Sequence, residues 1–419
     1  MLRQMEGSQA VARAVALCRP EVISAYPISP QTHIVETLSD LVTTGELDPC
    51  EYLMVESEFA AMSAAIGASA TGARTYTATA SQGLLFMAEA LYNASGMGFP
   101  IVMTIANRAI GAPINIWNDH SDSMSQRDSG WIQLYAESNQ EALDLHIQAY
   151  RLAERVSLPV MVCMDGFILT HAHERVDIPE ADEVDAYLPA FEPRQILDPD
   201  EPATMGALVG PEAFFEVKYL MHAKQIQALD EIPEVAGDFE ERFGRDSGGL
   251  IRTYRTEDAE TIVVALGSVL GTIEDVVDEL RERGERIGVV AIRCFRPWPL
   301  EEVRAALAHA ERVVVVEKAF AVGAGGIVGQ NVRLALSGLA PTVFDVVAGL
   351  GGRAITKHSL HGLFADVAAG RLEPGPLHFL DLDRERVDRE LERMSKGGRT
   401  GPHAENMLRD LGVVAARPH

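Results

Sequence analysis

The chain has 419 residues, 47% of them hydrophobic and 23% charged, the balance of a globular protein of two or three domains rather than a disordered one. A formal net charge of −25 argues against nucleic acid and anionic membrane surfaces as partners. No apolar run approaches the roughly 20 residues of a membrane span, and the N-terminal segment lacks the apolar core and cleavage site of a signal peptide, so a cytoplasmic location is expected.

Cys18, Cys50, Cys163 and Cys294 are far apart and form no C-x-x-C, which leaves no local zinc or iron–sulfur signature. They read as buried thiols.

In chain order, residues 22–25 form a short apolar strand ending in Tyr26-Pro27-Ile28-Ser29-Pro30, where two prolines impose an extended turn. Ser29 or Thr32 then caps a helix with Ile34, Val35 and Leu38 on one face. A strand at 51–55 leads into a helix of small residues at 59–69. A strand at 74–78 passes through Thr79-Ala80-Ser81-Gln82-Gly83 into a helix at 84–93. The strand 101–105 opens onto Asn107-Arg108, and the apolar strand 158–164 is closed by Asp165-Gly166. This alternation predicts an α/β fold with a parallel sheet covered on both faces.

Residues 178–252 are rich in proline and acidic residues and read as an excursion and linker, with a helix at 211–228. A second α/β pattern follows, with strands at 261–266, 287–292, 312–316 and 342–346 and helices between them. The expected organisation is a first domain at 1–240, a second at 250–375 and a charged tail at 376–419, with no repeat of fixed period.

Ligands of open parallel sheets bind beyond the carboxyl ends of the strands. Ser29, Glu58, Ser81-Gln82-Gly83 and Arg108 all stand at such ends. Each alone has a plainer role as a cap, a turn or a carboxylate favoured at a helix N-terminus. Four in consecutive units point to a cleft, in which the Arg108 guanidinium can hold a carboxylate through two hydrogen bonds. Asn118-Asp119-His120-Ser121-Asp122 has no metal-ligand spacing and reads as a hydrogen-bonded loop. Gly323-Ala324-Gly325-Gly326 either cradles a phosphate or makes a tight turn, and lacks the G-K-[ST] ending of a P-loop. Gly349-Leu350-Gly351-Gly352-Arg353 is open to the same two readings. The sequon Asn93-Ala94-Ser95 carries no meaning in a cytoplasmic protein.

Taken together, AYPISPQTHIVE (25–36), VESEFAAMSAAIGAS (55–69), TATASQGLLFMAEALYNASG (77–96), NRAIGAPINIWNDHSDSMSQRDSGWIQLYAES (107–138), VMVCMDGF (160–167) and VVAGLGGRAIT (346–356) resemble, in order, the alpha subunit of the 2-oxoacid:ferredoxin oxidoreductases, closest to the pyruvate type. The resemblance spans most of residues 1–370 and omits the tail. It implies a pyrimidine-binding domain of the transketolase type followed by a transketolase C-terminal-like domain. It places at Glu58 the glutamate that contacts N1′ of thiamine diphosphate, at Arg108 the arginine that binds the substrate carboxylate, and at Ser29 the hydroxyl near the substrate oxygens, where threonine is commoner. Ser81, Gln82 and Gly83 fall on the cofactor-binding segment. The family's G-D-G motif for diphosphate and Mg²⁺ does not occur here, and no cysteine cluster can hold [4Fe–4S] centres. The resemblance therefore assigns diphosphate and Mg²⁺ binding to a beta subunit, and the clusters to partners that include a ferredoxin-like delta subunit beside a gamma subunit. Coenzyme A is the co-substrate.

The implied reaction oxidatively decarboxylates a 2-oxoacid, pyruvate first, to an acyl-CoA, with electrons passing to ferredoxin. Phenylglyoxylate, branched-chain 2-oxoacids and 2-oxoglutarate are alternative substrates, with NAD as an alternative final acceptor. A non-catalytic assembly subunit is the alternative of another class, against which the joint presence of Ser29, Glu58 and Arg108 weighs.

Overall fold

The computed structural model describes residues 1–397 and 400–414. Strand β1 (Leu2–Glu6) runs into α1 (Gly7–Leu17), followed by β2 (Val22–Ala25), α2 (Thr32–Thr43), β3 (Glu51–Met54), α3 (Glu58–Ala70) and β4 (Thr75–Thr79). Next come α4 (Ser81–Phe86), α5 (Ala88–Met97), β5 (Val102–Asn107), α6 (Ser121–Ser125), β6 (Ile132–Tyr135), α7 (Asn139–Val156) and β7 (Val160–Asp165). The chain continues through β8 (His173–Asp177), α8 (Ala181–Tyr187), α9 (Phe214–Phe243), β9 (Ile251–Tyr254), β10 (Thr261–Ala265) and α10 (Val269–Glu282). After β11 (Ile287–Ile292), β12 (Cys294–Arg296) and α11 (Leu300–Leu307) come β13 (Arg312–Glu317), α12 (Ile327–Ala335), β14 (Thr342–Val347) and α13 (Lys357–Ala368). β15 (Leu377–Phe379), α14 (Arg384–Ser395) and α15 (His403–Asp410) complete it.

Two mostly parallel sheets organise these elements, as the alternation of strands and helices predicts. The first has the order β12-β6-β7-β5-β4-β2-β3, in which only β12 is antiparallel. The second has the order β15-β14-β13-β10-β11-β9, in which only β9 is antiparallel. Strands β5 and β7 are buried along their whole length, so their apolar runs do not alternate. α3 is dominated by alanine, glycine and serine, and this lets it lie close on β2: the Ser24 hydroxyl donates to the Ala61 carbonyl at 2.7 Å.

The two units share a core. One apolar cluster runs from Met103, Ile105 and Trp131 of the first through Tyr135 and Phe295 to Val264 and Val313 of the second. β12 strengthens the join, because it leaves the second unit to pair with β6 at the edge of the first sheet.

Three local expectations change. The helix expected at 211–228 is the 30-residue α9, which continues through Pro233. The helix expected at 84–93 is two helices, α4 and α5, separated at Met87. The segment read as linker also holds α8, and the residues just before it form β8, which pairs with β1. No helix among the described residues is long and apolar enough to cross a membrane.

Candidate active site

The carboxyl ends of β5, β4, β2 and β3 are neighbours in the sheet, and the six residues singled out from the sequence all lie just beyond them. Ser57 caps α3, its hydroxyl accepting the Ala60 N–H at 3.1 Å. That cap fixes Glu58 at the first helical position, where the helix dipole favours a carboxylate. Glu58 is only 8% exposed. Its carboxylate has no hydrogen-bond or ion-pair partner among the described residues. Its floor is Gly83: a Cβ there would lie 2.6 Å from Glu58 Oε1 and 2.5 Å from Thr79 Oγ1. The Thr79 hydroxyl is itself buried without a partner.

Arg108 follows β5 and is 6% exposed. Its Nη1 donates to the Ser29 carbonyl at 2.9 Å and its Nε to the Asn115 carbonyl at 2.9 Å. Nη2 has no protein acceptor among the described residues, so one prong of the fork is uncommitted. Burial lowers the Arg108 pKa against the opposing pull of Asp122, and a guanidinium stays charged through such a shift. Ser29 is exposed, and its hydroxyl bonds to no protein atom among the described residues. The structure thus joins Arg108 to Ser29 through the Ser29 main chain.

Asp122 holds the two central strand ends together. Its Oδ2 accepts the N–H of Ser81 and that of Arg108, both at 2.9 Å, while Oδ1 accepts Asn107 Nδ2 and the Ser123 N–H, both at 2.8 Å. Burial raises its pKa to about 6, against these four donors. Ser81 sits at φ 50°, a left-handed conformation that costs a non-glycine residue about 1–3 kcal/mol and persists where its surroundings over-determine it. The Asp122 bond and the Ser81 hydroxyl's 2.5 Å bond to the Ala109 carbonyl do so. Gln82, half-buried, accepts from the same hydroxyl. The loop at 118–122 is hydrogen-bonded, as its spacing suggests. Its anchoring of Ser81 and Arg108 left no mark in the sequence, because an aspartate in a loop has many plainer uses.

A second buried carboxylate, Asp165 at the end of β7, ties the two units together. It lies 2.6 Å from His120 Nε2, accepts from Lys318 Nζ at 2.8 Å and from the Ser268 N–H at 3.1 Å, and also accepts the Ser268 hydroxyl. Burial alone would raise its pKa, but Lys318 and His120 outweigh burial and hold it well below the usual range.

The glycine-rich turn at 323–326 is closed to phosphate by the chain itself. Glu317 accepts the N–H groups of Ile327, Val328 and Gly329 at 2.7, 2.8 and 3.1 Å, filling the N-terminus of α12. A Cβ on Gly326 would fall 2.2 Å from Glu317 Oε1, so that glycine serves tight packing, while Gly323 and Gly325, at φ 80° and 118°, serve the turn. The four cysteines are free thiols, Cys18, Cys163 and Cys294 buried and Cys50 half-buried. Burial is the main cause that raises the pKa of each.

The family model described as "Pyruvate flavodoxin/ferredoxin oxidoreductase, thiamine diP-bdg" matches residues 13–236, and that of "Pyruvate:ferredoxin oxidoreductase core domain II" matches residues 259–360. The pyruvate synthase subunit PorA of Methanosarcina barkeri is 52% identical over 361 residues, 85% of this chain and 90% of that protein. The ketoisovalerate oxidoreductase subunit VorA of Pyrococcus horikoshii is 40% identical over 376 residues, 88% of this chain and 95% of that protein. Among solved structures, a 2-oxoglutarate:ferredoxin oxidoreductase from Magnetococcus marinus, with 2-oxoglutarate, coenzyme A and succinyl-CoA bound, shares the fold at a TM-score of 0.66 and 20% identity. The likeness covers 87% of this chain and 65% of that one. The chain belongs to the pyruvate flavodoxin/ferredoxin oxidoreductase family, the group of 2-oxoacid oxidoreductases that its motifs resemble.

Proposed function

We propose that this chain is the subunit of a 2-oxoacid:ferredoxin oxidoreductase that holds the aminopyrimidine side of thiamine diphosphate and the carboxylate of the 2-oxoacid, with pyruvate as substrate. The observation that carries the reading is Glu58, a buried carboxylate without a protein partner above the Gly83 floor, on the same rim of the sheet as a guanidinium with a free prong. These residues fit the cofactor. Thiamine diphosphate, when bound, supplies a carbon nucleophile and a place for the electrons left by decarboxylation.

The chain's own groups do the rest. Glu58 shares a proton with the ring nitrogen N1′ and thereby sets the basicity of the pyrimidine amino group. Gly83 leaves room for the ring, with Ser81 and Gln82 shaping that wall. Arg108 binds the substrate carboxylate, and the Ser29 hydroxyl faces the substrate oxygens. Diphosphate and Mg²⁺ belong to a beta subunit, [4Fe–4S] clusters to partners that include a ferredoxin-like delta subunit beside a gamma subunit, and coenzyme A enters as co-substrate. The sequence supports this division, for it carries no G-D-G motif and its cysteines are dispersed. The domain limits 1–240 and 250–375, the tail 376–419 and a cytoplasmic location are part of the same reading. A branched-chain 2-oxoacid is the second reading, supported by the 40% identity to the ketoisovalerate relative against 52% to the pyruvate one.

Arg108 offers the direct test. In the assembled complex, Arg108→Ala should lower kcat/KM for pyruvate, 2-oxobutyrate and phenylglyoxylate alike by a factor equivalent to about 2–5 kcal/mol. Arg108→Lys should recover part of the loss, because an ammonium keeps the charge but cannot also reach the Ser29 and Asn115 carbonyls that place the guanidinium. Substrates reordered by Arg108→Ala, or left untouched, would place the carboxylate anchor elsewhere.

A further inference from the structure

Away from the proposed catalytic rim, three side chains from distant parts of the sequence converge: Glu6 at the end of β1, His33 in the first turn of α2, and His171 between β7 and β8. One ligand-type atom from each lies within 4.8 Å of the other two, and among the described residues no other group of three His, Cys, Asp or Glu does the same. His33 Nδ1 is 2.7 Å from Glu6 Oε1. The His33 and His171 rings lie with centroids 4.8 Å apart at 36°, and the far face of His171 meets the Phe167 ring at 4.7 Å.

We propose that Glu6, His33 and His171 form a binding site for a divalent transition-metal ion, Zn²⁺ by ligand chemistry, that braces the Ser29–Pro30 turn. Two imidazoles and a carboxylate are ligands of intermediate softness, suited to zinc and its neighbours rather than to Mg²⁺ or Ca²⁺. Three protein ligands leave a fourth position for water. The His33 side chain is 47% exposed and that of Glu6 14%, so an ion has an open path to a partly enclosed carboxylate.

A hydrogen-bond partner that orients the ring is in place at His171. Its Nδ1 is 2.7 Å from Thr170 Oγ1, which also accepts the Phe167 N–H at 2.8 Å. In the tautomer that donates Nδ1–H to Thr170, the Nε2 lone pair is left unprotonated for an ion, the arrangement that hydrogen-bond partners impose on ligating histidines.

Such an ion would pin three segments at one point. The β7–β8 connection already bonds to the start of α1, Gly7 N–H to the Ala172 carbonyl at 3.1 Å and Ser8 N–H to the Thr170 carbonyl at 2.9 Å. Gly166 packs so closely on Pro30 that a Cβ there would meet Pro30 Cγ at 2.6 Å. Holding His33 to His171 therefore holds the turn whose Ser29 carbonyl receives Arg108. The site is independent of the catalytic reading and stands or falls by metal binding alone.

The test is a titration of the full chain, freed of any purification tag, with Co²⁺ followed by visible absorption and with Zn²⁺ followed by calorimetry. One equivalent of Co²⁺ should give a d–d band that Zn²⁺ displaces. His33→Ala and His171→Ala should each weaken Zn²⁺ at least about 10-fold, the lower end of what even an outer-shell change costs. Replacement of the exposed His358 by Ala should leave binding unchanged. Glu6→Gln, which keeps the hydrogen bond to His33 but not the charge, covers the case in which a histidine variant does not fold. Absence of saturable binding, or binding that survives His33→Ala, His171→Ala and Glu6→Gln, overturns the proposal and leaves Glu6–His33 an ordinary hydrogen-bonded pair.

Discussion

Asp122 shows how much of the site rests on a residue that touches no ligand. Each of its oxygens accepts two donors, and two of the four are the main-chain N–H groups of Ser81 and Arg108. Asp122→Asn preserves the shape but turns an NH₂ toward one pair of those donors. We expect a loss of about 1–3 kcal/mol in stability, the cost of leaving buried polar groups unsatisfied, read from the denaturant midpoint. Released from Asp122, Arg108 and Ser81 should lose their fixed placement, so kcat/KM should fall more than cofactor affinity. A variant with wild-type kinetics would show that the two strand ends hold themselves. The sequence exposes Glu58, Arg108 and Ser29 because each follows an apolar strand at a predictable place. It conceals Asp122, whose partners include main-chain groups 14 and 41 residues away.

Among the elements, buried parallel strands were the most legible, since their unbroken apolar runs and polar ends announce both their presence and their direction. α9 was under-read because Pro233 normally ends a helix. β12 is three residues long, too short for any periodicity, and finds its place only through pairing with β6. The turn before α12 was ambiguous because the group that fills it, Glu317, stands on the preceding strand. Burial, chiefly, raises the Glu317 pKa to about 7 despite three backbone N–H donors. The folded chain therefore keeps this proton to a higher pH than the unfolded chain, in which glutamate titrates near 4.3. This group's stabilising contribution is full below about pH 4.3 and is lost as pH rises through about 7. The thermal midpoint of wild type relative to Glu317→Gln should fall across that window and run parallel to it above. A difference that rises with pH would mean that Glu317 is ionised throughout.

At the scale of the whole molecule, a shared apolar core and the Asp165 cluster bind the two units into one body. Lys318→Met removes the cation from a buried pair whose partners are 4% and 1% exposed. Breaking such a pair from one side costs about 3–5 kcal/mol, and guanidinium unfolding should show a loss of that size. A change under about 1 kcal/mol, the worth of an exposed pair, would assign the join to the apolar core alone. We propose that this body presents half of an active site, in which Glu58 supplies the acid–base carboxylate for a cofactor completed by another subunit. The most direct measurement is hydrogen–deuterium exchange at C2 of thiamine diphosphate in the assembled complex, wild type against Glu58→Gln. The variant should assemble normally and exchange on the order of 10²-fold more slowly, the scale of a lost acid–base partner. Equal exchange rates would contradict the account and leave Glu58 a carboxylate at the end of a helix.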